Sequence, residues 1–226
     1  MGRFLLYIFI VTMDVVAINN PMPPLLTQHF EEAARRCQSE TKALTQSLRT
    51  ALLDEASWPI ALWEPYLWKG GEYYNCYNFA LNTKAFQAAA PGDFSADGFT
   101  RSGCGLDKWH SDIHAGALRD GLIYLGARFH EAAIAQHINP VALFLRADPH
   151  QDFHWTALRR RGDRIFWGEV GGLFAPARKV PVEETIFDHV GRYGYLYFGG
   201  YYGVPKGKVF RPPHAGAPAS QSTFIF

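Results

Sequence analysis

Little in this chain announces a partner. Its 22 basic residues stand against 21 acidic ones, a formal net charge of +1 over 226 residues. That balance gives no general reason to expect nucleic acid or an anionic membrane. Charged residues make up only 19% and hydrophobic ones 48%, which excludes the disordered class. There are three cysteines, Cys37, Cys76 and Cys104. A small odd number does not read as a disulfide framework: it allows one bridge and leaves at least one thiol free. Neither a paired C-x-x-C nor an H-E-x-x-H motif occurs, and no internal repeat is visible. The apolar run from Phe4 to Val11 is too short to span a bilayer.

What is present is aromatic. Tyr, Phe and Trp reach 15%, with 11 Tyr and 6 Trp. Such a surplus suits a lined cleft or a β-rich core. The length fits one domain with a sizeable core. Residues 1–26 form an apolar segment and a linker, 27–210 a single domain, and 211–226 an irregular Pro/Ala/Ser-rich tail in which "STFIF" would serve as an edge strand. Residues 1–17 have the layout of a secretory signal, weakened by Asp14; a buried first strand is the other reading. With a signal the protein is secreted or periplasmic; without one it is cytoplasmic or an injected effector.

The order of elements predicts an α+β fold, helices first and an antiparallel sheet after. From Thr27 to about Ser57, Phe30, Ala33, Ala34, Cys37, Leu44, Leu48, Ala51 and Leu52 fall on one helical stripe, so Cys37 reads as packing. A second helix opens at Cys76, capped by Asn75, and runs towards Ala89 before Pro91-Gly92. A Gly- and Asp-rich loop fills 92–111, and 113–137 holds two helical pieces around "LIYLG". After Pro140 the pattern turns to strands: 141–147, 152–160 and 164–170, the last two flanking Arg161-Gly162-Asp163 as a hairpin. Residues 192–204 read as a strand pair or one long bent strand.

A thiol attacks as thiolate, and a helix N-terminus or a neighbouring imidazolium lowers its pKa. Cys76 has the first condition by position, and His154, near a strand start, is the histidine to supply the second. Cys76 is therefore expected to be the most reactive of the three thiols, with His154 facing its sulfur. The hairpin supplies a third group. With Arg161-Gly162 as the turn, His154 lies opposite Glu169; with Gly162-Asp163, Glu169 is its diagonal neighbour on the same face. A three-residue loop would send Glu169 to the other face. Asp152 and Asp188 are rival orienting residues.

These blocks carry a resemblance. "NCYNFALN" (75–82), "DFHWTALR" (152–159), "WGEVGGLFAPARKV" (167–180) and "GGYYGVP" (199–205) are similar to those of papain-like cysteine hydrolases in the NlpC/P60 order, and of an uncharacterised bacterial group with NCYxYALN-like and DYHWYR-like blocks. The resemblance covers about 70–206, and "PVALFLRA" fits the strand before the His block. It implies a papain-like fold, Cys76 as nucleophile and His154 as base, with no cofactor. Where that group has His-Lys, this chain has Glu169-Val170; an acid can still orient an imidazole. The implied enzyme is a peptidase or amidase, acting on cell-wall peptide or a target protein, with an inhibitor or immunity protein as an allowed partner. The Cys76 N–H is one oxyanion donor, and Asn75, Tyr74 or Trp68 a second. Trp68, Tyr74 and Trp155 are candidate cleft residues.

Two other classes stay open. Cys104, Asp107, His110 and His114 lie close in sequence, with the two histidines at i, i+4, a zinc-like spacing; no metal is expected, for want of a fourth-ligand motif. A non-catalytic domain binding glycan or peptide on an aromatic face is the other.

Overall fold

The computed structural model describes residues 30–51, 58–70, 73–84, 88–147, 151–181 and 184–211. The expected signal, linker and tail, the first residues of the long helix and its end beyond 51 lie outside these.

The fold is α+β. One six-stranded antiparallel sheet runs in the order β1-β6-β2-β3-β4-β5, built from β1 (Ile123–Gly126), β2 (Ile138–Arg146), β3 (Asp152–Arg161), β4 (Arg164–Val170), β5 (Ala177–Lys179) and β6 (Tyr197–Pro205). Within the described residues its outer strands are the short β1 and β5. The helices are α1 (Phe30–Ala51), α2 (Cys76–Leu81), α3 (Leu106–Arg119), α4 (His130–Ala135) and α5 (Ile186–Gly191).

The helices cover both faces of the sheet rather than one. Strand alternation sorts the core accordingly. Phe153, Trp155 and Ala157 of β3 join Cys76, Tyr77 and Phe79 of α2 and Trp109 and Ile113 of α3 in one cluster. Leu158, Phe144 and Trp167 join Leu44 and Leu48 of α1, Ala133 of α4 and Phe187 of α5 in the other. Burying a core aromatic on either face contributes about 3–5 kcal/mol against truncation to Ala. Cys37 sits on the predicted α1 stripe, 3% exposed, as packing.

Three expectations are corrected. α2 does not reach Ala89: Asn82 takes a left-handed conformation (φ 53°) and its N–H closes on Asn78 and Phe79 carbonyls, a capping conformation Asn tolerates well. α3 begins at Leu106, inside the stretch read as loop. Of the two readings of residues 192–204 the single strand is the one found, but it starts only at Tyr197, as β6, and α5, which the apolar pattern alone did not reveal, precedes it.

Candidate active site

Asn75 builds the start of α2. Its Oδ1 accepts the N–H groups of Tyr77 and Asn78, both at 3.1 Å, and Asn78 Oδ1 accepts the Asn75 N–H in return. The Asn75 Nδ2 donates to Ala89 O at 2.8 Å. With its Oδ1 committed to the cap, Asn75 orients the start of α2 and with it Cys76. Phe79 N–H goes to Asn75 O. Of the first turn, the Cys76 N–H alone has no acceptor among the described residues.

The hairpin uses Gly162-Asp163 as its turn. Arg161 pairs with Arg164 and Thr156 with Glu169, and Gly162 takes φ 58°, cheap only for glycine. Pairing of β3 with β4 ends at that Thr156–Glu169 rung, leaving residues 152–155 of β3 beyond it. The thiol docks there. Cys76 Sγ donates to Phe153 O at 3.8 Å and rests against the Trp155 N–H. The sulfur thus takes up backbone groups on either side of His154, in place of a further β4 residue.

His154 points to the face of α5, opposite Phe153 and Trp155. Its Nε2 meets Glu169 Oε2 at 2.7 Å, and its ring lies 5.1 Å from that of Tyr195. No hydrogen bond joins His154 to Cys76, and among the described residues its Nδ1 has no hydrogen-bond partner. Glu169 is 0% exposed. Its other oxygen accepts from Arg178 Nε at 2.6 Å and is 2.9 Å from His189 Nε2. Burial alone would raise the Glu169 carboxyl; the hydrogen bonds of His154 and His189 and the charge of His189 outweigh it and hold it at about 2.

The thiol behaves otherwise than its helix position suggests. Burial pushes Cys76 far above the ordinary range, the Asp152 and Glu169 charges add to this, and the N–H groups of Trp155 and Tyr77 offset only part. A six-residue helix does not overcome desolvation. Cys37 is pushed up to about 12, again mainly by burial. Cys104 is exposed, so a small alkylating reagent meets it first.

Other expected residues fall elsewhere. Trp155 is 0% exposed and packs on Tyr77 and Tyr202, with centroids 5.3 and 5.1 Å away. The alternation that turns His154 to the cleft turns Trp155 into the core. Trp68 is 5% exposed, edge-on to Tyr74 and Phe79, and neither it nor Tyr74 lines the cleft beside His154. Asp188 lies in the first turn of α5 and bonds the capping Thr185 through both its backbone N–H and its carboxylate, and does not meet His154. Asp152 lines the cleft but bonds the Tyr195 hydroxyl at 2.6 Å and Arg146 at 3.4 Å. His110 Nε2 contacts Gly199 O at 3.2 Å and His114 Nδ1 the Tyr202 hydroxyl at 2.9 Å. Among the described residues no group of three or more His, Cys, Asp or Glu is placed to hold a metal.

The cleft in front of His154 and Glu169 has a volume of about 560 Å³ and is walled by Arg146, Arg178, Phe174, Tyr193 and Tyr195. His189 is the functional neighbour that sequence reading missed. Thr185-x-x-Asp188 before it is a capping pattern that could have exposed α5. No family model matches this chain, and no curated protein or solved structure matches it at a significant level.

Proposed function

We propose that the protein is a cysteine hydrolase, a peptidase or amidase on a papain-like fold of the NlpC/P60 type. Cys76 is the nucleophile, His154 the base and Glu169 the orienting acid. One observation carries this reading: the thiol rests on the backbone flanking His154 while Glu169 takes the far ring nitrogen at 2.7 Å. With Nε2–H donated to Glu169, the basic lone pair is on Nδ1, the nitrogen nearer the strand backbone against which the sulfur lies.

Because burial favours the neutral thiol, the proton must move as the bond forms. The sulfur attacks the amide carbonyl carbon while its proton passes to His154 Nδ1. The imidazolium returns that proton to the departing nitrogen, the C–N bond breaks, and a thioester remains. Water, deprotonated at the same nitrogen, adds to the thioester; the C–S bond breaks, the imidazolium returns its proton to the leaving sulfur, and the acid departs. The unpartnered Cys76 N–H is the donor for the developing oxyanion. Peptide linkages of a cell wall or of a target protein are the substrates this chemistry suits.

One observation favours a second reading. Cys76 is only 5% exposed, while Tyr73 and Phe174 at 53% and 45% stand edge-on with centroids 4.5 Å apart. That would suit a non-catalytic domain holding peptide or glycan on its aromatic rim. A peptide-based acylating probe, with mass-spectrometric mapping of the modified residue, decides. The hydrolase reading expects label at Cys76, lost in Cys76→Ser and slowed about 100-fold or more in His154→Ala. Label confined to Cys104, or an unchanged rate in His154→Ala, sinks it and leaves the binding domain.

A further inference from the structure

We infer that His189 is a positioning residue of this site, acting on His154 through Glu169 to keep it neutral with its proton on Nε2. His189 Nε2 lies 2.9 Å from Glu169 Oε1, and Nδ1 lies 3.1 Å from Glu184 Oε2. Ionised carboxylate oxygens only accept hydrogen bonds, so both ring nitrogens must carry protons. His189 is therefore an imidazolium, at 6% exposure. A buried cation needs such partners.

The charges around it decide what it does. Glu169 on β4 and Glu184 before α5 are the anions; Arg178 on β5 pairs with the first and Arg192 after α5 with the second. Lys42 of α1 lies along the groove that Glu184 borders. The Tyr193 ring is 5.8 Å from His189. On the His154 side, Asp152 and Arg146 pair with each other and Tyr195 covers the ring. With His189 charged, the cluster of two acids, two arginines and one imidazolium is already net positive. A further proton on His154 would add a second uncompensated charge in a nearly dry site. His154 is thus held neutral. Because Oε1 of Glu169 is occupied by Arg178 and His189, Oε2 is left to accept from Nε2–H, which fixes the tautomer.

The catalytic consequence rests on the hydrolase reading; the protonation states do not. Nitrogen NMR of the histidine rings in the ¹⁵N-labelled full chain tests them. Near neutral pH, His189 is expected with both nitrogens protonated and His154 as the neutral Nε2–H form. In His189→Gln, which keeps one donor to Glu169, His154 should take up its second proton at a higher pH than in the parent, as a like charge is removed. The acid limb of Cys76 acylation should move with it. A neutral His189 in the unmodified protein overturns the inference, as does an unmoved His154 midpoint in the variant. Should that variant not fold, the ring states of the unmodified protein still decide. So does Glu184→Gln, where losing the negative charge beside Nδ1 should let His189 give up a proton at lower pH; no change there counts against the inference. If the ring states hold while no acyl group reaches Cys76, the inference stands and the hydrolase reading falls. If acylation needs Cys76 and His154 but its pH profile ignores His189→Gln, the reverse applies.

Discussion

Three basic side chains converge on Glu169, itself at 0% exposure: Arg178, His189 and His154. Its carboxyl is held at about 2 against an ordinary 4.5. A depressed carboxylate contributes stability that is fully present above the unfolded value and lost as pH falls through the folded one. A shift of this size corresponds to about 3 kcal/mol. Glu169→Gln should therefore be less stable than the parent above about pH 5, and the gap should close between roughly pH 4.5 and 2. Denaturant unfolding across that range measures it; a gap that stays constant would mean that the carboxylate is not what the cluster depends on. This residue was legible because hairpin arithmetic with a two-residue turn fixes its face. The same arithmetic, applied one position along, already consigns Trp155 to the core. His189 was not legible, because its partner lies twenty positions away on another element and only packing brings them together.

At the scale of elements, α3 carries an instructive glycine. Replacing a mid-helix Gly with Ala normally stabilises by about 0.5–1 kcal/mol. At Gly116 a β-carbon would run into the carbonyl of Pro91, a backbone atom that has little room to yield. Gly116→Ala should therefore destabilise, by about 1–3 kcal/mol on the scale of overpacked sites, as read by thermal or denaturant melts. An increase in stability would show that the 90–98 loop moves aside easily. That loop is pinned by Asp120, which accepts from the Gly92 and Phe94 N–H groups at 2.6 and 2.9 Å, so displacement disturbs more than one contact. Periodicity revealed α1 and the long strands because each buries a continuous face. The six-residue α2 and α5 and the three-residue β5 fall below the length at which a period can be read. Their ends are set by single capping residues, Asn82 for α2 and Thr185 for α5.

Over the whole molecule, the candidate nucleophile and its partners come from opposite sides of one sheet. α2 presses on one face with Phe79 and Tyr77, while α5 presses on the other with Phe187 and Val190. The thiol reaches the β3 backbone beside His154 where β4 pairing with β3 stops at Glu169. The order of blocks along the chain could suggest Cys76 and His154 as a pair; it could not show that the sulfur docks on the backbone flanking His154, with no bond to the ring, where a strand stops short.

The outer strands have a consequence for how copies of the chain behave together. β5 is three residues long and two of them are basic, Arg178 and Lys179; β1 has four residues and an interrupted register against β6. Short, charged or irregular margins deny an incoming strand a flat template. Lys179 is the simpler of the two to change, since Arg178 is tied to Glu169. Lys179→Val would turn that margin into an apolar, β-favouring one. The variant should form light-scattering, thioflavin-positive material sooner than the parent at equal concentration under mildly destabilising conditions. Equal lag times would instead assign protection of that margin to the chain that precedes it. In concentrated solution, then, the lysine acts as a guard on the folded state, keeping each molecule's sheet from becoming the seed for the next.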